Sequence, residues 1–141
     1  MEGLQGAILR VKLQHLERWI EARRGHAAEY SRLLAGAGLQ LPRQMSYARH
    51  VYNSYTVRSE NRDRLQADLH AAGVQTAIHY PIPVHLQPAY ADLGYRAGTF
   101  PVAEQAAREV LSLPMYPELT ATQIASVAEV CAAHPAFTRS R

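Results

Sequence analysis

The fourteen residues AIHYPIPVHLQPAY, positions 77 to 90, hold two histidines, two tyrosines and three prolines, a dense grouping of chemically able side chains in a sequence of 141 residues. The imidazoles of His79 and His85 can accept or donate a proton near neutral pH or ligate a metal. Tyr80 adds a phenol, and Pro81 and Pro83 fix the backbone so that little order has to be gained on binding. Consecutive strand residues point to opposite faces, so one of His79 and Tyr80 is expected to be buried. The plain alternative is a rigid crossover in which one of them is a satisfied core residue.

Other chemistries find less support. A stable zinc site needs three or four ligands. No Cys, Asp or Glu lies between His79 and His85, and His15, His26, His50, His70 and His134 are scattered without ligand spacing, so a metal-dependent enzyme ranks last. The sequence contains no GxSxG turn, and neither phosphate cradle, GxGxxG or GxxxxGK[ST], occurs. The single cysteine, Cys131, cannot close an internal disulfide and sits in a helical run, where it reads as a small buried residue. Of the 15 lysines and arginines only Lys12 is a lysine. Any chemistry that needs a primary side-chain amine must therefore use Lys12 or happen elsewhere.

The elements that must position the loop follow from spacing. Apolar residues at Leu4, Ile8, Val11, Leu9, Leu13, Leu16 and Ile20, then Tyr30, Leu33 and Leu34, predict one long helix over residues 4 to 34, bent near Gly25. Its first half is apolar around much of its circumference and is expected to face two partners. GAGLQLP ends it. VYNSYTVR, 51 to 58, reads as a strand, and NRDRLQADLHAAG as a short helix with Asn61 as N-cap and Gly73 as terminator. VQTAIHY, 74 to 80, reads as a second strand stopped by the prolines. LQPAYADLG allows one or two helical turns, PVAEQAAREV is a proline-started helix, and LSLPMY is a short third strand. Thr120 and Gln123 form a capping-box pattern ahead of the last helix.

This order predicts an α+β fold: a small, mostly antiparallel sheet with helices on one face, preceded by the long N-terminal helix. A single domain spans 1–141, with the helix in 1–36, the α+β sandwich in 50–134 and a frayed tail in 135–141. The sequence is 48% hydrophobic, enough to bury a core. Its net charge of +3 comes from arginines interleaved with glutamates, which argues against nucleic-acid binding. The opening stretch has neither the flanks nor the length of a signal peptide or membrane span, so the chain reads as soluble and cytoplasmic.

Three blocks, GLQGAILRVKLQHLERWIEARRGHAAEY, HVYNSYTVR with NRDRLQADLHAAGVQTAIHYPIPVHLQPAYADLG, and FPVAEQAAREVLSLPMYPELTATQIASV, resemble in order the DegT/DnrJ/StrS-type aminotransferases, over roughly residues 3 to 130. Such enzymes aminate keto groups on nucleotide-linked sugars with pyridoxal phosphate. The resemblance is to their C-terminal part, the small domain of fold-type I pyridoxal enzymes. The lysine that holds the cofactor, the aspartate on its ring nitrogen and most of the phosphate cup belong to a larger N-terminal domain. Lys12 does not match the family's lysine motif and reads as a helix-surface residue. MEGLQGAIL matches an interior segment, so Met1 reads as an internal methionine. A shortened gene, a cut piece and a domain encoded alone all stay open.

For the proline loop the resemblance implies a place at the active-site mouth. His79 and Tyr80 would lie near the reacting centre and His85 and Gln87 further along the nucleotide-sugar path, in a form closest to sugar 3-aminotransferases. The expected function is that of the small domain of a sugar aminotransferase, catalytically incomplete alone, with no cofactor held by this chain by itself. The alternative is a binding or assembly module that recognises nucleotide sugars, forms homo-oligomers through the N-terminal helix, or pairs with a full-length aminotransferase subunit.

Overall fold

The computed structural model of the chain describes residues 2 to 134. The predicted tail, 135 to 141, lies outside the described residues. Helix α1 (Gly3–Leu13) and helix α2 (Leu16–Leu33) replace the single predicted helix, and the interruption falls at Gln14 and His15, with Gly25 inside α2. The cause is local. The N–H groups of Gln14 and His15 turn back to the carbonyls of Val11 and Lys12 at 3.2 and 3.0 Å, a tighter i to i−3 closure, and a new helical ladder starts where Trp19 donates to His15.

Helix α2 buries Ile20, Ala27 and Tyr30, and Leu34 just beyond its end. Strand β1 (Tyr55–Arg58) is shorter than predicted, because Tyr52 takes a positive φ of 46° and the chain bends through Asn53 and Ser54 before it extends. Helix α3 (Arg62–Ala71) stops at Gly73, whose φ of 78° lets the Val74 N–H reach back to the Leu69 carbonyl at 2.9 Å. Asn61 makes no capping bond through its side chain; its own N–H donates to Ser59 Oγ at 3.2 Å. Two 3-10 turns, Val84–Leu86 and Pro88–Leu93, follow the prolines. Helix α4 (Pro101–Glu109) runs directly into strand β2 (Val110–Leu113), which Pro114 ends. Helix α5 (Ala121–Ala133) opens on the predicted box: Thr120 Oγ1 accepts from the Gln123 N–H at 3.3 Å and Gln123 Oε1 from the Thr120 N–H at 2.9 Å.

The sheet is antiparallel, with Tyr55 opposite Leu113, Thr56 opposite Ser112, Val57 opposite Leu111 and Arg58 opposite Val110. The predicted strand over 74 to 80 contributes a single bridge, Ala77 to Ser112. A second bridge joins Gln40 to Arg58 on the other edge. With β2 only four residues long and its outer edge met at one position, residues 78 to 80 have no ladder to continue.

Alternation along the two strands separates their faces. Tyr55, Val57, Leu111 and Leu113 point into one core with Tyr30, Leu34, Leu65, Leu69, Ile124, Val127 and Cys131, contributed by α2, α3 and α5. Tyr30 and Tyr55 stack there at 5.1 Å. Full burial of each aliphatic side chain contributes about 1.5–3 kcal/mol. Burial pushes the Cys131 thiol up to about 11, as suits an inert packing residue. The opposite face carries the hydroxyls of Thr56 and Ser112, and the proline loop begins there.

Candidate functional site

Ser112 holds the start of the loop twice. Its backbone exchanges hydrogen bonds with Ala77, at 2.8 and 3.2 Å, and two residues further its Oγ lies 3.0 Å from His79 Nδ1. The same Oγ is 2.9 Å from Thr56 Oγ1, its partner in register, and Thr56 Oγ1 donates to Ser54 Oγ at 3.5 Å. The imidazole of His79 is thus tethered by one nitrogen to a row of hydroxyls on the outer face of the sheet. Ser112 is buried while His79 itself stays exposed.

Tyr80 is 71% exposed, so neither member of the His79–Tyr80 pair is buried, against the expectation from strand alternation. The peptide between them is cis, and the two rings meet edge to face at 5.5 Å. The strand rule fails because the ladder has already ended at Ala77, leaving no second layer over either ring. Two shallow hollows meet at His79. One, of about 300 Å³, is of mixed character, lined by Asn53, Ser54, Gln75, Thr76 and Ser112 together with Leu113, Pro114 and Met115. The other, of about 210 Å³, is apolar and runs between Tyr80, Val84 and the Ala103, Ala106 and Ala107 face of α4.

His85 turns inward. Its Nε2 lies 3.0 Å from Glu104 Oε1, and its ring packs edge-on against Phe100 at 4.8 Å. The Glu104 carboxylate also accepts the Gly98 N–H at 2.8 and 2.9 Å and the Phe100 N–H at 3.3 Å. These donors, the Gly98 N–H first and His85 after it, hold the Glu104 carboxyl below the usual carboxylate range. The group clamps the two ends of residues 85 to 100 onto the start of α4. Gln87 joins the two 3-10 turns through its backbone, its N–H on the Val84 carbonyl at 3.1 Å and its own carbonyl accepting from Tyr90 at 2.9 Å.

The four residues singled out in the sequence therefore divide. His79 and Tyr80 share one exposed ledge, whereas His85 and Gln87 serve the internal geometry of the loop. Sequence reasoning did not find Ser112, Thr56 or Glu104. A signal existed in part: Thr56 and Ser112 are hydroxyl residues each flanked on both sides by apolar ones, and Glu104 stands in the first turn of a proline-started helix. Their partners lie 33, 56 and 19 positions away, a relation no local pattern carries.

Lys12 is an exposed residue of α1, and no acidic side chain among the described residues pairs with it. Among the described residues no group of three or more His, Cys, Asp or Glu could hold a metal ion, and no helix is long and apolar enough to cross a membrane.

Comparison with known proteins places this geometry. The sequence pattern of the DegT/DnrJ/EryC1/StrS aminotransferase family matches residues 1–132. A pleiotropic regulatory protein of Geobacillus stearothermophilus is 49% identical over 132 residues, which cover 92% of this chain and 36% of that protein. A UDP-2-acetamido-2-deoxy-3-oxo-D-glucuronate aminotransferase of Pseudomonas aeruginosa is 45% identical over 133 residues, 94% of this chain and 35% of the enzyme. The crystal structure of DesV from Streptomyces venezuelae, in complex with a ketimine intermediate, superposes with a TM-score of 0.88 at 44% identity over 91% of this chain and 35% of that one. The chain spans about a third of the length of these relatives, and the α+β fold with its small antiparallel sheet is that of their small domain. By sequence pattern and by fold alike, this chain belongs to the DegT/DnrJ/EryC1/StrS aminotransferase family and corresponds to the C-terminal part of its members.

Proposed function

We propose that the chain is the small domain of a nucleotide-sugar aminotransferase, which supplies one wall of the sugar site and does not transaminate alone. Family members use pyridoxal phosphate, and that chemistry needs a lysine amine on the aldehyde and an acidic partner for the ring nitrogen. The residues present do not fit the cofactor. The only lysine of the sequence stands exposed on α1 with no carboxylate beside it among the described residues, and neither hollow at His79 includes it. That isolation of Lys12 is the observation that carries the reading.

In the assembled enzyme, His79 and Tyr80 would face the sugar near the reacting carbon. The stretch carrying His85 and Gln87, held in shape by the buried His85–Glu104 pair, would border the path of the nucleotide further out. The relatives' names, which cite UDP- and dTDP-linked amino sugars, indicate the substrate class. Two measurements test the proposal. Mixed with pyridoxal phosphate, the chain should develop no visible absorbance band that Lys12→Ala removes, and Lys12-dependent turnover would refute it. Grafted in place of the corresponding third of the Pseudomonas aeruginosa relative, it should support transamination, and His79→Ala in that chimera should raise KM for the sugar or lower kcat.

A second reading has its own observation. Leu4, Ile8, Val11 and Leu13 are each more than half exposed, and α1 has no buried residue. An uncovered apolar helix of this kind promotes association, so the chain would act as an assembly module, pairing with its own copies or with a full-length subunit. Sedimentation should then show concentration-dependent dimers that Leu4→Glu with Ile8→Glu disperses, and a clean monomer at high concentration would count against it.

A further inference from the structure

Tyr52 is the one residue other than glycine with a positive φ, 46°, among the described residues. Bulky L residues keep that conformation only where their surroundings hold it. The holder here is His50. The Tyr52 N–H donates to His50 Nδ1 at 2.9 Å, and the two rings lie 4.2 Å apart. A backbone N–H cannot accept, so the direction of this bond is fixed: Nδ1 supplies the lone pair, and the neutral ring carries its hydrogen on Nε2. The backbone of His50 is held in turn. Its N–H donates to Gln44 Oε1 at 3.0 Å, its carbonyl accepts from Arg24 Nη1 at 2.9 Å, and the same Nη1 reaches Gln44 Oε1 at 2.8 Å. Arg23 donates to the Val51 carbonyl at 3.1 Å. Two neighbouring arginines of α2 thus fix the backbone at 50 and 51, and the imidazole reaches over Val51 to close the turn at 52. The next two residues, Asn53 and Ser54, line the hollow of about 300 Å³ beside His79.

We infer that His50 is a positioning residue: its unprotonated Nδ1 closes the Tyr52 turn and so sets where Asn53 and Ser54 stand in the hollow, an arrangement that protonation of the ring undoes. An imidazolium has two N–H donors and no acceptor, so it cannot take the Tyr52 N–H. His50 is exposed, and protons reach its ring directly from solvent. The charged groups around it are Arg23 and Arg24 of α2, Arg49 beside it in the chain, and Glu17 and Glu21, whose carboxylates accept from Arg49 at 2.7 and 2.6 Å; the Tyr52 phenol ring completes the surroundings. Among the described residues no carboxylate bonds the His50 ring, so none holds it in place once charged. The turn stands independently, whereas the ligand that the hollow would take rests on the function proposed above.

Amide exchange on the 141-residue chain, followed by NMR between about pH 8 and 5, tests this. Protection of the Tyr52 N–H, its exchange rate relative to that of an unstructured peptide at the same pH, should fall several-fold as His50 titrates, and the Asn53 and Ser54 amide shifts should move over the same range. His50→Asn supplies a side-chain oxygen that accepts an N–H two residues on at either pH, so it should keep the protection and abolish its pH dependence. His50→Leu should lose the protection throughout. Constant Tyr52 protection across the window in the native chain, native-like protection in folded His50→Leu, or Asn53 and Ser54 shifts that ignore the state of His50 would each overturn the assignment. If His50→Leu does not fold, the native titration and His50→Asn decide by themselves. These spectra need neither sugar nor cofactor, so their failure is separate from a failure of the chimera to turn over.

Discussion

Helices α1 and α5 are both built mainly from Leu, Ile, Val and Ala, yet they meet opposite fates. In α5, Ile124, Val127 and Cys131 are 1%, 3% and 0% exposed, locked against α2 and α3. In α1, Leu4, Ile8 and Val11 are 74%, 52% and 59% exposed. Apolar content in a helix thus records that something covers it, without recording whether the cover lies in the same chain. For α5 the cover is present. For α1 no cover lies among the described residues.

The widest difference should appear on truncation. Ile124→Ala removes a side chain from a closed core and should cost about 2–5 kcal/mol in denaturant unfolding, through lost transfer energy plus the cavity left behind. A loss under 1 kcal/mol would mean that α5 is as loosely covered as α1. Next in size is the cap. Thr120→Ala removes the acceptor for the Gln123 N–H and should cost about 1 kcal/mol, with the loss seen as faster amide exchange in the first turn of α5.

The contrast also explains what was legible in the sequence. The α5 box, the stop at Gly73 and the proline start of α4 follow from local chemistry and are found where the pattern put them, whereas the predicted strands VYNSYTVR and LSLPMY are shortened to Tyr55–Arg58 and shifted to Val110–Leu113. The break at Gln14–His15 was not legible, because the apolar spacing runs through it unbroken; only backbone closure marks it. The strand over 74 to 80 failed for another reason. Its residues suit a strand, but the ladder had room for Ala77 alone. At the site, His79 and Tyr80 could be picked by residue type, while Ser112, Thr56 and Glu104 were invisible because their roles are relations across the fold.

A smaller effect separates the clamped loop from both helices. Glu104 has its pKa lowered in the folded chain, by the Gly98 N–H above all. A carboxyl whose folded pKa lies below its unfolded value, about 4.3, stabilises fully above that value, and the contribution is lost as pH falls through the folded one. Urea midpoints should therefore drop on acidification below about pH 4.3, and Glu104→Gln should flatten that drop while lowering the midpoint at neutral pH. An unchanged acid slope in Glu104→Gln would assign the acid sensitivity elsewhere.

The smallest effect on stability is expected where the sequence is most apolar. Leu9→Ala in α1 removes as many carbons as many a core truncation, but Leu9 is 47% exposed and no buried residue of α1 waits to lose a contact. Its unfolding free energy should change by no more than about 0.5 kcal/mol. An isolated helix of 11 residues is marginal in water, so α1 in the monomer should exchange its amides quickly, and any slowing must come from a cover. The informative measurement is hence a pair: unfolding, which Leu9→Ala should leave alone, and the concentration dependence of α1 amide exchange, which it should weaken. If instead Leu9→Ala destabilised the monomer as Ile124→Ala does, α1 would already be packed within the chain, and the difference between the two helices would vanish.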